Sequence, residues 1–186
     1  MRWPSILFGV FMALAQPPGA PAQAGQGDAR LDQLFQSLIQ AKDRQQSLDI
    51  ETRIWALWLQ AGDQTIDAEM ARGVGSLNAG DLPSALESFD KIIALDPEFA
   101  EGWNKRATVY YLMGDLKRSV LDIERTVALE PRHFGAFSGL GLIYLATGDD
   151  PAALRAFERV LEINPHYGNI ENQVQELRKK IKGRAT

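Results

Sequence analysis

Between residues 66 and 167 the chain repeats itself every 34 residues. Residues 66–99, 100–133 and 134–167 form three consecutive blocks with no gap between them. Every block carries a Gly-Asp pair near its middle and a proline near its end: Gly80-Asp81 and Pro97, Gly114-Asp115 and Pro131, and Gly148-Asp149 and Pro165. A period of this length, with this punctuation, predicts an array in which each block folds as two helices and stacks on the next block.

Further positions of the blocks predict how the two helices pack. The eighth and twentieth positions hold small residues and the twenty-fourth a bulky apolar one: Gly73, Ala107 and Gly141; Ala85, Ser119 and Ala153; Phe89, Ile123 and Phe157. Small side chains allow a close approach of the helices, and the bulky one belongs to the face that packs. The glycine of each Gly-Asp pair should end the first helix, and the aspartate should lie at the start of the second as its cap.

The pattern resembles the tetratricopeptide repeat (TPR) family, which expects Trp, Leu, Gly, Tyr, Ala, Phe, Ala and Pro at fixed positions of a 34-residue repeat. The matching residues are Trp103, Ala107, Tyr110 and Pro131 in the second block, and Phe137, Leu140, Gly141, Tyr144, Ala153, Phe157 and Pro165 in the third. The first block departs from the pattern at Glu69, Arg72 and Ser76. The resemblance implies an all-α, right-handed superhelical α-solenoid, similar to secreted or periplasmic bacterial members of the family.

Helical patterns flank the array on both sides. Residues 29–65 have the apolar spacing of two helices, with Ser47 as the expected cap of the second, but lack the Gly-Asp turn, so they are interpreted as a degenerate helical hairpin. Residues 168–186 predict a capping helix with an apolar face and a basic end. Trp55 and Trp58 allow two interpretations, ligand stacking or packing between helices, and the second is favoured because Trp58 shares the apolar stripe.

The amino terminus has the features of a secretory signal peptide over residues 1–24. Arg2 precedes the apolar run Trp3–Ala15, and Ala22-Gln23-Ala24 offers a cleavage pattern before Gly25. The apolar run is shorter than the roughly 20 residues of a membrane-spanning helix. Residues 25–28 are expected to be a flexible linker. The segment therefore predicts a periplasmic or secreted protein, with an uncleaved interfacial anchor as the alternative and little membrane contact once the signal is removed.

Several kinds of chemistry find no support in the sequence. The net charge is −4, without the clustered basic face that is typical of nucleic-acid binders. Cysteine is absent, so Cys-based metal sites and thiol nucleophiles are excluded. Gly73-Val74-Gly75 and Gly139-Leu140-Gly141 lack the third glycine of a phosphate loop. His133 and His166 each follow a repeat-ending proline, and metal binding by them is disfavoured. The prediction is therefore a protein without catalysis or cofactor.

The resemblance also implies where a partner would bind, because first helices of successive repeats line a concave groove in this family. The positions that match are Asp67, Met70, Val74, Asn78, Glu101, Asn104, Thr108, Tyr111, Ser138 and Leu142. Some family members hold a peptide carboxylate with Lys and Asn at the positions that Met70 and Val74 occupy here, so a carboxylate clamp is not expected. A short apolar helix or extended segment fits better. The alternative is that the hairpin covers part of this surface.

Two functions from different classes follow. The first is a secreted or periplasmic scaffold or adaptor that binds a protein or peptide partner through the concave groove, without catalysis. The second is a cell-envelope biogenesis factor that contacts peptidoglycan or a membrane surface through the basic end, where Arg178, Lys179, Lys180, Lys182 and Arg184 lie. The identity of the partner and the oligomeric state do not follow from the sequence.

Overall fold

The computed structural model describes residues 25–184, so the predicted signal peptide lies outside the described residues. Within that range the chain is helical, as predicted, and it begins with a short 3-10 turn at Gly25–Gly27. The helices are α1 (Arg30–Ile39), α2 (Arg44–Trp58), α3 (Gln64–Asn78), α4 (Leu82–Leu95), α5 (Ala100–Leu112), α6 (Leu116–Leu129), α7 (Phe134–Thr147), α8 (Asp150–Ile163) and α9 (Ile170–Arg184).

The turns inside the three blocks have the predicted chemistry. Gly80, Gly114 and Gly148 adopt φ angles of 76°, 78° and 77°, a left-handed conformation that glycine reaches at little cost. The carboxylate that follows each glycine accepts a hydrogen bond from a backbone N–H in the first turn of the next helix. The distances are 3.2 Å for Asp81 and 3.0 Å for Asp115 and Asp149. Each block is therefore a pair of antiparallel helices, α3–α4, α5–α6 and α7–α8.

Small residues bring the helices of a block together, also as predicted. A Cβ atom added to Gly73 would lie 2.6 Å from the Phe89 ring, which is too close for any side chain. Gly141 is in the same relation to the Phe157 ring. In the middle block the small pair is Ala107 and Ser119, whose hydroxyl donates to the Ala107 carbonyl at 2.8 Å. The fully buried rings thus fill space that the glycines leave.

The N-terminal hairpin, α1 and α2, does not continue the stack as an extra repeat. Helix α2 runs along the loops that join successive blocks. Its first half lies at the end of the third block, where the Ser47 hydroxyl is 2.9 Å from Asn164 Oδ1. Its second half lies at the end of the second block, where Trp58 stacks on His133 with a centroid distance of 4.1 Å. The chain that follows reaches the first block, where Leu59 packs beside the core.

The start of α2 corrects one sequence-based expectation. The helix begins at Arg44, and Asp43 is its cap, accepting from the Gln46 N–H at 2.8 Å. Ser47 lies inside the helix and is fully buried, since its hydroxyl bonds Glu51 at 2.9 Å and faces Asn164. The local pattern could not show this, because the partner of Ser47 is more than a hundred residues away in the sequence.

The last helix, α9, packs on α8 and closes the carboxy-terminal end of the stack. Its apolar face, Ile170, Val174 and Leu177, is buried in the same cluster as α8 and the hairpin. The Asp150 carboxylate, at the start of α8, pairs with Lys180 at 2.8 Å and Arg184 at 2.5 Å. Among residues 25–184, no helix has the length and apolar character needed to cross a membrane.

Candidate functional site: a cleft between α5 and α7

A cleft of about 300 Å³ opens between the first helices of the second and third blocks. Its walls are mostly small or apolar side chains with a few uncharged polar groups: Asn104, Ala107, Thr108, Tyr111, Leu112, Ser119, Ile123, Gly135, Ala136, Ser138, Gly139, Leu142 and Ile143. Leu112 and Leu142 keep 55% and 37% of their surface exposed. An open, largely apolar concavity with a few polar groups is the usual form of a binding site.

Glycines on α7 help to create this cleft. Gly135 and Gly139 are one helical turn apart and lie on the same face of the helix. A Cβ atom at Gly139 would meet only the Ile123 side chain, at an ordinary 3.5 Å, so the space above it is available. A Cβ atom at Gly135 would instead lie 2.7 Å from the Trp55 ring. The hairpin therefore closes the cleft at the end where α7 begins.

A buried polar network lies beneath this closed end. Glu101 is only 1% exposed, and its Oε2 accepts from the Asn104 side-chain amide at 3.1 Å and from His133 Nε2 at 2.8 Å. The other ring nitrogen of His133, Nδ1, accepts from the Ala136 backbone N–H at 3.0 Å. Because a backbone N–H can only donate, the proton of the neutral imidazole is on Nε2 and points to Glu101. His133 is thus both the cap of α7 and a donor to Glu101.

Two tryptophans of α2 cover this network. The Trp58 ring lies parallel to the His133 ring, with 8° between their planes. The Trp55 ring packs edge-on against His133 with a centroid distance of 5.5 Å. The Lys105 ammonium lies 5.1 Å from the Trp55 centroid and forms an ion pair with Glu101 Oε1 at 3.0 Å. Both tryptophans therefore pack against protein, which supports the packing interpretation rather than ligand stacking.

The charge state of Glu101 follows from these contacts. Burial by itself raises the pKa of the Glu101 carboxyl. The Lys105 ammonium and the hydrogen bond from His133 act in the opposite direction and outweigh burial, so the pKa lies below its ordinary value. The carboxyl group is therefore ionised at neutral pH and can only accept hydrogen bonds.

Comparison with known proteins identifies the repeat. The family model described as tetratricopeptide repeat matches residues 70–123 and 104–167, which together make up more than half of the chain. The chain belongs to the tetratricopeptide repeat family. The resemblance and the all-α repeat fold that the sequence predicts are therefore confirmed.

Two TPR proteins are similar to this chain over very different shares of their own length. A TPR repeat-containing protein of Rhizobium etli is 39% identical over 85 residues, which are 46% of this chain and 42% of the relative. The aligned part thus spans less than half of that relative's length. The first TPR domain of Spaghetti (RPAP3), solved with an HSP90 peptide, has a TM-score of 0.60 at 22% identity and covers 64% of this chain and 94% of its own. Similarity at that level of identity shows the fold alone.

An O-GlcNAc transferase from Thermobaculum terrenum is also similar in structure. Its TM-score is 0.57 at 18% identity, over 61% of this chain but only 22% of the transferase. The similarity concerns the fold of less than a quarter of the transferase, and a shared fold does not by itself imply a shared activity.

Half of the predicted groove residues meet in the cleft of this TPR array. Asn104, Thr108, Tyr111, Ser138 and Leu142 all line it. Much of the wall is also formed by Ala107, Ile123 and Gly139, which do not occupy the groove positions of the family. The spacing of Gly135 and Gly139 was the available signal, since two glycines one turn apart leave a gap on one helix face.

The other five predicted groove residues do not line this cleft. Met70 is 2% exposed within the core of the first block, beside Leu59 and Ala61, and Val74 packs against the same core. Glu101 is buried beneath the hairpin. The Asp67 carboxylate accepts from the Ala61 N–H at 2.7 Å, and Asn78 is exposed at the end of α3. Most of these residues are outside the cleft for the same reason: the hairpin and the segment after it, which includes Leu59 and Ala61, pack against them.

Both histidines form hydrogen bonds within the protein. His133 is fully buried and uses both ring nitrogens, and His166 Nε2 lies 3.0 Å from the Ala41 carbonyl oxygen, to which it donates. Across residues 25–184 the structure holds no group of three or more potential ligand side chains that could bind a metal ion.

The lowered pKa of Glu101 gives a pH prediction. A carboxyl group whose pKa is lower in the folded protein stabilises the fold at pH values above its unfolded pKa, near 4.5. This stability is lost as the pH falls through the lower, folded pKa. We therefore expect the wild type to lose more unfolding free energy than Glu101→Gln when the pH is lowered from about 5 to about 3. Urea denaturation at several pH values measures this, and parallel curves for the two proteins would contradict it.

Proposed function

We propose that this TPR protein is a non-enzymatic adaptor that binds a segment of a partner protein in the cleft between α5 and α7. The observation that carries the proposal is the cleft itself, an apolar concavity on the described surface with Leu112 and Leu142 exposed at its rim. Exposure of apolar side chains of this size to water is unfavourable. Binding of an apolar segment that covers them is therefore favoured by the free energy of removing their surface from water.

The chemistry of the lining indicates the kind of segment. The peptide SRMEEVD in the Spaghetti complex is acidic near its end. The cleft walls of this chain contain no lysine or arginine, so nothing in them attracts an acidic peptide. The positions of the carboxylate clamp are also occupied by apolar residues, the buried Met70 and the partly buried Val74. The chemistry therefore favours an uncharged segment with an apolar side chain that enters the gap above Gly139.

The absence of catalysis is part of the proposal. Two serines line the cleft, but the Ser119 hydroxyl donates to the Ala107 carbonyl, and no histidine is among the lining residues to activate Ser138. His133 lies outside the cleft with both nitrogens engaged. Nothing in this arrangement supplies a nucleophile next to a base, which supports a role in binding.

A filled cleft provides the test. Gly139→Leu should occupy the gap without distorting the fold, because a Cβ atom there meets only the Ile123 side chain, and leucine is the better helix former by close to 1 kcal/mol. Peptides selected from a random display library on wild-type residues 25–186 should bind Gly139→Leu at least about tenfold more weakly, which is about 1.4 kcal/mol. Isothermal titration calorimetry with purified peptide and protein measures the loss.

The same substitution elsewhere provides the control. A Cβ atom at Gly75 in α3 meets nothing within 4 Å, and Gly75 lies outside the cleft. Gly75→Leu should therefore bind the selected peptides as the wild type does. Equal affinity of Gly139→Leu and Gly75→Leu for every selected peptide would overturn the assignment of the cleft.

The compartment is a separate part of the proposal. The signal-like residues 1–24 support export to the periplasm or the medium. Expression of the full chain with a carboxy-terminal tag, followed by fractionation and intact-mass measurement, should yield an exported form that begins at Gly25. An unprocessed chain confined to the cytoplasm would contradict export.

The alternative function, contact with peptidoglycan or a membrane through the basic end, has less support. Arg178 pairs with Glu158 at 2.7 Å and Lys179 with Glu176 at 2.9 Å. Lys180 and Arg184 share the Asp150 carboxylate. Much of the positive charge of α9 is thus compensated by acids of the same molecule, which weakens its attraction to an anionic surface.

A further inference from the structure

We propose that Glu101 is a positioning residue of the cleft: it turns the Asn104 amide so that the cleft offers a hydrogen-bond acceptor, and the docked hairpin holds Glu101 in place. The ligand chemistry that follows is an apolar side chain next to a hydrogen-bond donor, such as the backbone N–H of an extended peptide. This inference rests on the proposed function, because it concerns the ligand of the same cleft.

The orientation of Asn104 follows from the chemistry of Glu101. An amide group can present its nitrogen or its oxygen to a neighbour, and only the hydrogen-bond network decides which. A carboxylate accepts and cannot donate, so the Asn104 nitrogen must face Glu101, at 3.1 Å. The oxygen of the same amide is then directed away from Glu101. Asn104 is also a wall of the cleft, so this oxygen is the polar atom that it can offer to a ligand.

Two hydroxyl groups of the wall reinforce this acceptor character. The Thr108 hydroxyl donates to the Asn104 backbone carbonyl at 3.0 Å, and the Ser119 hydroxyl donates to the Ala107 carbonyl at 2.8 Å. Because each hydroxyl proton is used within the protein, these two oxygens can only accept a hydrogen bond from a ligand. A ligand that brings a donor to Asn104 therefore finds a partner that is already oriented, which lowers the cost of ordering on binding.

The hairpin affects the position of the Glu101 carboxylate through the two side chains that contact it, His133 and Lys105. His133 donates to Glu101 and is kept in its plane by the stacked Trp58 ring, and Lys105 lies between Glu101 and the Trp55 ring. Hairpin docking and ligand binding thus share one carboxylate. Two events that depend on the same group are coupled, and the coupling is reciprocal.

The first test reports on the amide without a ligand. In Glu101→Gln the new side chain can donate as well as accept, so it no longer dictates the orientation of Asn104. We expect the side-chain amide resonances of Asn104 to shift and to exchange faster with solvent in this variant, as seen by ¹⁵N NMR. Ile163→Val, which removes one buried methylene far from the cleft, controls for a general loss of stability. Unchanged Asn104 resonances in Glu101→Gln would overturn the positioning role.

The second test uses the library-selected peptides with single backbone N-methylations. In the wild type, N-methylation of one particular amide should weaken binding roughly three- to tenfold, and the same change should cost little in Asn104→Leu. Glu101→Gln should lower the affinity of the unmodified peptide by a similar factor. A scan in which no N-methyl position interacts with Asn104 would overturn the ligand assignment. If no peptide binds the wild type, the proposed function fails, and the NMR result still decides the role of Glu101.

Discussion

Phe157→Ala is expected to lower the free energy of unfolding by about 3–5 kcal/mol. The Phe157 ring is fully buried in the cluster that joins α8 to the hairpin and to α9. It fills the space over Gly141, which has no side chain that could move into the gap. Because the cavity left by the ring cannot collapse, the variant should lose the full free energy of burial and packing at this site. This is a large share of the roughly 5–15 kcal/mol of unfolding free energy of a typical domain.

Chemical denaturation of residues 25–186, followed by circular dichroism, measures this effect. Phe137→Ala is the matched control, because Phe137 is only partly buried at the margin of the same cluster and should cost less. Helix α2 and the residues that follow it connect the ends of all three blocks. The three blocks should therefore unfold together in one transition, with a lower midpoint in the variant. Loss of part of the helical signal at an unchanged midpoint would contradict this placement of Phe157.

Trp58→Ala should also cost about 3–5 kcal/mol, with its effect concentrated in the hairpin. Trp58 is 1% exposed and stacks on His133, while the Phe35 and Phe134 rings lie at centroid distances of 5.8 and 5.2 Å. Removing the indole opens the contact between α2 and the second block. The contact of α2 with His133 is made by Trp55 and Trp58, so loss of the buried Trp58 ring should let the hairpin open locally before the array unfolds.

Hydrogen exchange measured by mass spectrometry resolves this local opening. Amides of α1 and α2 should exchange much faster in Trp58→Ala, and those of α6 should change less. Trp103→Ala is the control. Trp103 lies on α5, where its indole N–H donates to the Pro97 carbonyl at 2.9 Å and the Arg106 guanidinium lies 4.9 Å from its ring centroid. Equal acceleration in α2 and α6 would show that the hairpin has no separate docking step.

The sequence predicts the repeat array in detail because its determinants are local. A glycine that adopts a left-handed conformation, an aspartate immediately before a helix and a proline at the end of a block each act on the backbone next to them. The packing of Gly73 on Phe89 is equally regular, since it recurs at the same positions of a block. Because the same local signals recur in all three blocks, they together predict one fold, a stack of helix pairs.

The course of the hairpin could not be predicted in the same way. Its anchors join residues far apart in the chain, such as Ser47 with Asn164 and Trp58 with His133. No local sequence pattern predicts these pairs, and the sequence around His133 indicates only a loop residue after the repeat-ending proline. Transfer of groove positions from the family assumes an uncovered concave face, so Met70 and Glu101 were placed in a groove although they are buried here.

The central claim, that a partner segment binds between α5 and α7, is tested most directly by methyl NMR of the protein with a selected peptide. We expect the peptide to shift the methyl signals of Ala107, Ile123, Leu142 and Ile143, which line the cleft. Leu95 and Leu121, which are exposed but lie outside the cleft, should not respond. Shifts confined to Leu95 and Leu121, or to the methyl groups of α9, would contradict the account.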